Sequence, residues 1–454
     1  MNDPNGMVYY KGEYHLFYQF HPYSDVWGPM HWGHAVSADM LQWEHLPIAL
    51  FPDENGTIFS GSAVIDWENT SGFGAEAMVA IFTQDNDGRQ AQSIAWSNDR
   101  GRLWQKYAGN PVIPSPGKGV DIRDPKVIRH RGAWLMLLAA KDRILFYSSK
   151  DLKVWQLSGS FGEGWGCTEG VWETPDLFEL PIENETSTKW VLTVGVGDGF
   201  SGGSGTQYFL GTFDGKTFVC DGERSEIRWM DHGADYYAPQ SFSDSPNDRR
   251  VMIAWMSNWK YAKSTPTNGW RGAMSLPRYL GLKRSSGIVY LVQQPILEMA
   301  ALPQFSLLQI ESEILRPNDL RLADLLLQQG KVTLRAKLDA AGETFAIHFG
   351  VGKDQRFSVC IDPRSATIEI DRTQSGLVDF HPFFSALHRA HFDRKDGSFE
   401  LEIFIDRCSV EVFCQSGEVC ITDLFFPIQG ANSLMIELPP NGIDISHLEI
   451  ISYK

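Results

Sequence analysis

The chain has 454 residues and a formal net charge of −16, and 43% of its residues are hydrophobic and 21% charged. This length allows two or three domains. The acidic surplus argues against binding to nucleic acids or anionic membrane surfaces, because both require basic patches. No apolar run is long enough to form a transmembrane helix.

Short strands dominate the predictions for the first half of the chain. Alternating or β-branched runs separated by Gly, Asn, Asp and Pro clusters predict strands over residues 7–10, 14–20, 78–83 and 190–196. Stretches with helical periodicity are scarce. The single candidate helix is a short apolar segment, residues 295–308, which would link two β-domains.

A degenerate repeat of polar turns runs through the same half. A Ser or Thr, an Asp two residues later and a following aromatic residue recur at Ser37/Asp39/Trp43, Ser97/Asp99/Trp104, Ser149/Asp151/Trp155 and Thr212/Asp214/Phe218. One all-strand unit every ~50–60 residues is typical of a β-propeller. Four copies and a further strand-rich unit over residues 252–292 predict five blades.

After about residue 310 the repeat stops and the hydrophobic pattern alternates with a period of two. Seven or more short strands with this spacing predict a β-sandwich. The predicted fold is therefore all-β, with a five-bladed β-propeller over residues 1–297, a linker over 298–312 and a β-sandwich over 313–454. We expect the sandwich to hold no constellation of carboxylates or histidines and to support the propeller without supplying chemistry.

The six cysteines show neither a C-x-x-C pair nor neighbouring histidines in a zinc pattern: Cys167, Cys220, Cys360, Cys408, Cys414 and Cys420. Buried free thiols are favoured over disulfides. No metal ion and no organic cofactor are predicted.

Three carboxylates stand beside prolines: Asp3 before Pro4, Asp124 before Pro125, and Glu173 two residues before a proline. A residue that precedes proline is pushed into an extended conformation. Such a carboxylate at the start of a propeller strand would point into the central funnel with little backbone freedom, as catalysis requires. Asp362, which precedes a proline in the sandwich half, is assigned to an ordinary turn.

Several motifs occur in a fixed order along the whole chain. They are Asn2-Asp3-Pro4-Asn5-Gly6, Phe17-Tyr18-Gln19, Trp27-Gly28, Trp32-Gly33-His34, Phe59-Ser60-Gly61-Ser62, Arg123-Asp124-Pro125, Trp172-Glu173-Thr174-Pro175-Asp176-Leu177, Trp255-Met256-Ser257-Asn258-Trp259 and Trp270-Arg271-Gly272. Together they resemble glycoside hydrolase family 32, the invertase, levanase and inulinase family. A strand in the second half, Ser409-Val410-Glu411-Val412-Phe413, resembles the sandwich domain of that family.

The resemblance implies a role for each matching carboxylate. Asp3 matches the nucleophile and Glu173 the general acid/base, while Asp124, beside Arg123, matches the residue that grips fructose hydroxyls. A retaining glycosidase needs two carboxyls about 5–5.5 Å apart, one ionised and one protonated. We expect Arg123 to hold Asp124 ionised. Glu169, four residues before Glu173, is the weaker alternative for the acid, because no proline follows it.

The resemblance also implies a sugar-binding wall, made of Asn2, Gln19, Trp27, Phe59 and Ser60. Tyr237 is expected to hydrogen-bond Glu173 or the sugar. Trp259 is either a stacking platform for sugar rings or an anchor in the core of a blade. The chain departs from the family at Thr174, where relatives usually have Cys. We expect the Thr174 hydroxyl to hydrogen-bond and to tune Glu173.

The implied function is that of a β-fructosidase that works by double displacement on sucrose or on fructans from the non-reducing end. A fructosyltransferase would carry the same three acids, and a sugar-binding propeller without catalysis is a third interpretation. The choice among sucrose, levan and inulin stays open, as does the oligomeric state. The substrate is a small carbohydrate or a fructan, with no nucleic acid or membrane partner.

The resemblance implies a further segment before the Met1-Asn2-Asp3 signature. We therefore expect the natural protein to extend upstream, with an extracellular or periplasmic location if that extension includes a signal peptide. Without one, the expected location is the cytoplasm.

Overall fold

The computed structural model describes residues 1–200, 203–327, 329–338, 342–352, 354–393, 397–428 and 432–453. The fold is all-β, a five-bladed β-propeller followed by a β-sandwich, as predicted. Three short 3-10 helices interrupt the strands in the described residues, at Pro246–Asp248, Leu297–Ala301 and Leu320–Leu322.

Five antiparallel sheets of similar layout form the blades, and each sheet begins with the strand that comes first in the chain. Blade 1 contains β1 (Pro4–Tyr10), β2 (Glu13–Phe20), β3 (His31–Ser37) and β4 (Glu44–Leu50). Blade 2 contains β5 (Thr57–Asp66), β6 (Ala77–Asn86), β7 (Arg89–Ser97) and β8 (Gln105–Lys106). Blade 3 contains β9 (Arg123–His130), β10 (Ala133–Ala139), β11 (Ile144–Ser149) and β12 (Trp155–Phe161).

Blade 4 contains β13 (Trp172–Pro181), β14 (Thr188–Phe200), β15 (Gly203–Phe213) and β16 (Phe218–Cys220). Blade 5 contains β17 (Tyr237–Ser241), β18 (Val251–Met256), β19 (Ala273–Met274), β20 (Arg278–Ser285) and β21 (Ile288–Pro295). The first strands contact one another in the cyclic order β1, β5, β9, β13, β17 and back to β1. Two backbone hydrogen bonds of Ser243, with Met7 and Tyr9, close this ring.

The predicted polar repeat is the turn between the third and fourth strands of blades 1 to 4. In blade 1, Asp39 accepts hydrogen bonds from the backbone N–H groups of Leu41 and Gln42, and the Trp43 indole donates to the Met40 carbonyl. The Asp99 and Asp151 turns repeat this pattern, and Asp214 caps the shorter turn before Phe218. An aspartate that satisfies turn N–H groups explains why the residue type recurs.

Two sheets form the sandwich. One has the order β22-β32-β23-β28-β29-β30 and the other β27-β26-β25-β24-β31. The strands are β22 (Gln304–Leu315), β23 (Gly330–Lys337), β24 (Phe345–Gly352), β25 (Gln355–Asp362), β26 (Thr367–Gln374), β27 (Leu387–His391), β28 (Ser398–Asp406), β29 (Ser409–Cys414), β30 (Val419–Leu424), β31 (Ser433–Glu437) and β32 (Ile443–Tyr453). Alternate residues of both sheets, such as Val332, Leu401, Phe357 and Ile370, build one apolar core.

The expected helix over residues 295–308 is wrong in its second half. A 3-10 helix covers only Leu297–Ala301, and β22 begins at Gln304. β22 pairs with β32 from Gln304 to Leu315, and this ladder outweighs the weak helical periodicity of the segment. The boundaries proposed for the linker and the sandwich stay a prediction.

The chain folds into two compact units. The first comprises Met1–Met230, Tyr237–Trp255 and Thr267–Val289, and the second Asp231–Tyr236, Met256–Pro266 and Tyr290–Lys454. All six cysteines are free thiols and are buried or half-buried, which confirms that prediction. In the described part of the chain, no helix has the length and apolarity required to cross a membrane.

Candidate active site

The first strand of every blade is irregular near its N-terminal end. Register shifts lie between Asn5 and Val8 in β1, Ile58 and Gly61 in β5, Glu173 and Asp176 in β13, and Tyr237 and Gln240 in β17; in β9 the shift lies opposite Leu137 and Ala139. A bulge bends a strand and re-aims its side chains. The five bulges therefore lie at the same end of the first strands, the end that carries Ser60, Asp124, Glu173 and Tyr237 and that Asp3 precedes.

Backbone conformation at these bulges is unusual. Asp124 has φ +61°, Thr174 +46° and Ala238 +52°. Positive φ is rare for residues other than glycine, and for a β-branched residue such as threonine it is an outlier. Such conformations persist only where the surrounding structure holds them, and they concentrate at functional sites.

Asp3 lies immediately before β1 and is 9% exposed. Its two carboxylate oxygens accept hydrogen bonds from the Asn2 side-chain amide at 3.0 Å and from the Ser60 hydroxyl at 2.7 Å. Burial raises the pKa of Asp3, the Ser60 and Asn2 hydrogen bonds oppose that rise, and the charge of Glu173 adds to it. Both oxygens of Asp3 are therefore fixed by donors that favour the carboxylate form.

Glu173 is held by two donors from neighbouring blades. Arg123 donates to Oε1 at 2.9 Å, and the Tyr237 hydroxyl donates to Oε2 at 2.5 Å. Burial, together with the charge of Glu173, raises the pKa of Tyr237 well above its ordinary value, so this phenol stays a donor. The side chain of Glu173 is 21% exposed, which leaves it accessible to a ligand.

Asp124 is more deeply buried, at 6% exposure. Its Oδ2 accepts a hydrogen bond from the backbone N–H of Thr174 at 2.9 Å, and its own N–H donates to Thr83 Oγ1 at 3.1 Å. Burial raises the pKa of Asp124 to about 7 against the attraction of Arg123, and the charges of Glu173 and Asp3 raise it further. The three carboxylates thus lie close enough to act on one another.

That Arg123 holds Asp124 ionised stays a prediction, because burial raises the pKa of Asp124 to about 7 against the attraction of Arg123 and both protonation states are present at neutral pH. Arg123 makes its short contacts with Glu173 and, at 2.6 Å, with Asp121, whereas its Nε lies 4.0 Å from Asp124. Although burial of the guanidinium opposes its charge, these carboxylates raise the pKa of Arg123. Desolvation of Asp124 outweighs an attraction that is shared among three acids.

A buried polar layer lies beneath these residues on the same strands. Lys126 of β9 donates to Asp176 of β13 at 2.9 Å and to the carbonyl of Ser241 in β17 at 2.9 Å. Gln240 donates to the carbonyl of Thr174 at 3.1 Å. These hydrogen bonds connect the three strands that carry Asp124, Glu173 and Tyr237, and they therefore stabilise the bulges in those strands.

Residues assigned to the predicted sugar-binding wall lie around Asp3, and their sugar-binding role stays a prediction. Gln19 is 3% exposed, its backbone pairs with Asn2 and Asp3, and its Nε2 makes no hydrogen bond to a described residue. The Trp27 ring is 47% exposed and packs edge-on against Phe59, with centroids 6.0 Å apart. An unused donor and an exposed ring beside a carboxylate cluster suit a polyhydroxylated ligand.

Three other predicted residues have different outcomes. Trp259 is half-buried in the second compact unit, and its role stays a prediction. Glu169 is exposed in the loop before β13. The Thr174 hydroxyl is buried and makes no hydrogen bond to a described residue, so the expected hydrogen bond is not formed; the backbone of Thr174 makes the contacts instead.

Sequence reasoning missed Thr83, which donates to Gln92 and accepts from the N–H of Asp124. It also missed Asp121 and Lys126. Thr83 is the last residue of a hydrophobic segment that predicts only a buried strand. No local feature of the sequence distinguishes Thr83 from the neighbouring residues as part of the site. Lys126 could have been noticed as a lone cation two residues after Asp124.

The prediction that the sandwich half holds no carboxylate or histidine constellation is wrong. Within the second unit, Arg372 donates to Asp235 at 2.7 Å and to Asp423 at 3.3 Å, and His388 contacts Asp423 at 2.7 Å. The Tyr261 hydroxyl completes the cluster by donating to Asp235 at 2.8 Å. These residues come from distant parts of the chain, so spacing could not reveal them.

The arrangement in the first unit can carry out acid/base and nucleophilic chemistry. It offers one carboxylate with both oxygens hydrogen-bonded, a second that is partly exposed and bound to an arginine and a phenol, and a third with a raised pKa. Among the described residues, no group of three or more His, Cys, Asp or Glu side chains is placed to hold a metal ion.

Comparison with known proteins gives consistent matches. The family model for the glycosyl hydrolases family 32 N-terminal domain matches residues 1–295, and that for the family 32 C-terminal domain matches residues 309–452. A levanase of Bacillus subtilis (strain 168) is 48% identical over 465 residues, which cover 100% of this chain and 68% of the levanase.

Two solved structures are similar over nearly the whole chain. An exo-inulinase from Aspergillus awamori has a TM-score of 0.90 and 34% identity, covering 100% of this chain and 96% of that one. A β-fructofuranosidase from Schwanniomyces occidentalis in complex with fructosyl-erythritol has a TM-score of 0.90 and 30% identity, covering 99% and 94% of the two chains.

Proposed function

We propose that this chain, which belongs to glycosyl hydrolases family 32 and is a glycoside hydrolase, cleaves terminal β-D-fructofuranosides with release of fructose. Its substrates are fructans of the levan or inulin type, sucrose, or both. The observation that carries this proposal is the triple carboxylate cluster of Asp3, Asp124 and Glu173, in which Asp3 immediately precedes β1 and the other two lie at the start of the neighbouring strands β9 and β13. The levanase and exo-inulinase relatives support the substrate class.

Asp3 is the nucleophile in the proposed reaction. Its hydrogen bonds from Ser60 and Asn2 hold both oxygens in place, so one oxygen can attack the anomeric carbon of the terminal fructose from a fixed direction. The bond from that carbon to the leaving oxygen breaks as the Asp3–fructosyl bond forms. A covalent intermediate of this kind is the mark of a retaining glycosidase.

Glu173 is the general acid and then the general base. In its protonated form it gives a proton to the leaving oxygen, and the resulting carboxylate is stabilised by Arg123 and Tyr237. The same carboxylate then takes a proton from water, which attacks the fructosyl carbon and frees Asp3. The partial exposure of Glu173 allows both the leaving group and the water to reach it.

Asp124 binds the fructose hydroxyls. With a pKa of about 7 it is present in both protonation states near neutral pH, so it can donate or accept a hydrogen bond. Asn2, Gln19, Trp27, Phe59 and Ser60 form the remaining wall of the fructose site. The unused Nε2 of Gln19 is a donor for a sugar hydroxyl.

The proposed catalytic domain is the propeller, residues 1–297, with a linker over 298–312 and a supporting sandwich over 313–454. A fructosyltransferase is the second candidate, because it would use the same three acids and differ only in the acceptor. The match to a levanase over the full length of this chain favours water as the acceptor.

Incubation with sucrose, levan and inulin separately, followed by sugar chromatography, tests the proposal. We expect free fructose, released first as the β anomer when proton NMR follows the initial turnovers. Longer oligosaccharides in place of free fructose would identify a transferase. An initial α anomer would remove Asp3 from the role of nucleophile, and no product from any substrate would contradict the proposed function.

A further inference from the structure

A row of aromatic rings lies beside the candidate site. It consists of the exposed Trp27, Tyr23 and Phe51, the half-buried Phe59 and the buried His31, and we call it the aromatic row. Trp27 packs against Phe59, Tyr23 packs against His31 at 5.8 Å, and His31 packs against Phe51 at 5.5 Å between ring centroids. Tyr23 is 78% exposed and Phe51 51% exposed, so large apolar rings face the solvent.

Strand register places the row at the same edge of blade 1 as Asp3. Gln19, whose backbone pairs with Asp3, lies opposite Trp32 in β3, and Trp32 lies opposite Leu50 in β4. His31 and Phe51 are the next residues beyond that line. Because neighbouring strands lie about 4.8 Å apart, the row extends roughly 15 Å outward from β1 across three strand spacings.

The loops that carry the row are held in place. Lys106 donates to the Phe51 carbonyl and to Asp53, and Gln84 also donates to Asp53 at 2.7 Å. In the loop that carries Tyr23 and Trp27, His21 contacts the Val26 carbonyl at 2.8 Å. Exposed rings on fixed loops lose little conformational freedom when they bind a ligand.

The inner two rings of the row, Trp27 and Phe59, are connected to the active site. Phe59 packs on Trp27 and precedes Ser60, whose hydroxyl binds Asp3. The carbonyl of Phe59 accepts a hydrogen bond from the Trp32 indole at 3.0 Å, and Ile58 is bonded to Met30 at the end of the Trp27 loop. A chain bound with its terminal residue at Asp3 and leading outward across blade 1 would pass these two rings before it reaches the rings beside β3 and β4.

We propose that Tyr23 and Phe51, the two exposed outer rings of the aromatic row, which both pack against the buried His31, bind the fructan residues beyond the scissile bond. Sugar rings present apolar C–H faces that pack well on aromatic rings. A neutral polysaccharide also meets no repulsion from a chain with a net charge of −16. This inference rests on the proposed function and deepens it, because it assigns a preference for long fructan chains to these rings. Sucrose, with a single residue beyond the scissile bond, does not span the row.

The test compares Tyr23→Ala, Phe51→Ala and the double variant with the wild type on long-chain levan, inulin and sucrose. Stacking contributes equally to the ground state and the transition state, so we expect KM for the polymer to rise about 3- to 10-fold per ring with kcat unchanged. Constants for sucrose should stay within about twofold. Tyr23→Phe, which keeps the ring, should behave like the wild type.

Trp67→Ala is the matched control, because Trp67 is 52% exposed and follows the opposite end of β5. It should change neither substrate's constants by more than about twofold. Unchanged polymer constants in the Tyr23 and Phe51 variants, or equal losses on polymer and sucrose, would overturn the inference.

Calorimetric titration of levan into the same variants in an Asp3→Asn background separates the inference from the proposed function. Weaker levan binding in the Tyr23→Ala and Phe51→Ala proteins supports the aromatic row even if turnover fails. Equal binding by all variants contradicts it, whatever the activity assays show.

Discussion

Each compact unit contains a cluster of charged residues. The two clusters have similar side chains, but we assign catalysis to the first and structural support to the second. In the first unit, Asp124 and Glu173 share Arg123, which also serves Asp121, while Asp3 is held by the uncharged donors Ser60 and Asn2. In the second unit, Asp235 and Asp423 are matched by Arg372 and His388, and all four are fully buried or nearly so. The first cluster has four carboxyls and one arginine, whereas the second has two carboxyls around one arginine and one histidine.

This difference is visible in the pKa values. Burial and neighbouring carboxylates raise the pKa of Asp124 to about 7. Burial also acts on Asp423, but His388 and Arg372 outweigh it and lower the pKa of that carboxyl. Asp235 in the second cluster does not follow this difference, because burial raises its pKa despite the attraction of Arg372. The two clusters therefore differ in their ratio of carboxyls to cationic partners, and both contain a carboxyl whose pKa is raised by burial.

The largest expected effect is on the chemistry of the first cluster. Asp3→Asn and Glu173→Gln keep side-chain size and should each lower kcat by about 10³-fold or more, because both groups act in the bond-breaking step. Steady-state kinetics on sucrose, with circular dichroism to verify folding, measures this. An Asp3→Asn protein that retains a tenth of the wild-type rate would remove Asp3 from the mechanism.

Next in size is the loss of stability expected in the second cluster. Arg372→Met leaves the Asp235 and Asp423 carboxylates without their shared cation, and should destabilise the fold by about 3–5 kcal/mol in urea unfolding. The kcat of the protein that remains folded should stay within about twofold, because the cluster supplies no chemistry.

Asp362→Ala is the control for Arg372→Met. Asp362 is the half-buried last residue of β25 and accepts hydrogen bonds from Arg364 and Ser365 in the turn that follows, and its loss should cost no more than about 0.5 kcal/mol. If Arg372→Met does not fold, the milder His388→Asn should lower the free energy of unfolding by a smaller amount and also leave kcat within about twofold. A fall in kcat without loss of stability would show that the second cluster affects catalysis.

A smaller effect concerns the pH dependence of stability. The pKa of Asp124 is about 7 in the folded chain against an ordinary 3.8, so the unfolded chain binds fewer protons between these values and stability falls as pH rises through them. Asp124→Asn removes this penalty, and asparagine tolerates the positive φ at this position. The variant should match the wild type near pH 4 and have the higher Tm at pH 8.

Differential scanning fluorimetry of both proteins across that pH range measures the difference. Ser115→Ala, a change in a turn of the same unit, controls for general effects of substitution. A constant Tm difference at all pH values would show that Asp124 does not retain its proton in the folded state.

Local patterns were enough to predict the strands, the turn repeat and the three carboxylates. The Asp39, Asp99 and Asp151 turns are encoded within a few residues, because each aspartate caps its own turn. The motifs around Asp3, Asp124 and Glu173 likewise resemble a family whose model matches the chain. The all-β fold and its two parts follow from hydrophobic alternation, which depends only on near neighbours.

Only the tertiary structure decided which charges meet. Lys126 reaches Asp176 across 50 residues, and Arg372 reaches Asp235 across 137, so no spacing rule connects them. The pKa of Asp124 depends on burial by several blades, which outweighs the adjacent Arg123 that sequence reasoning favoured. The positions of the bulges and of the exposed rings were likewise decided only by the tertiary structure. The strand partner of a bulge and the solvent-facing surface exist only once the sheets have formed.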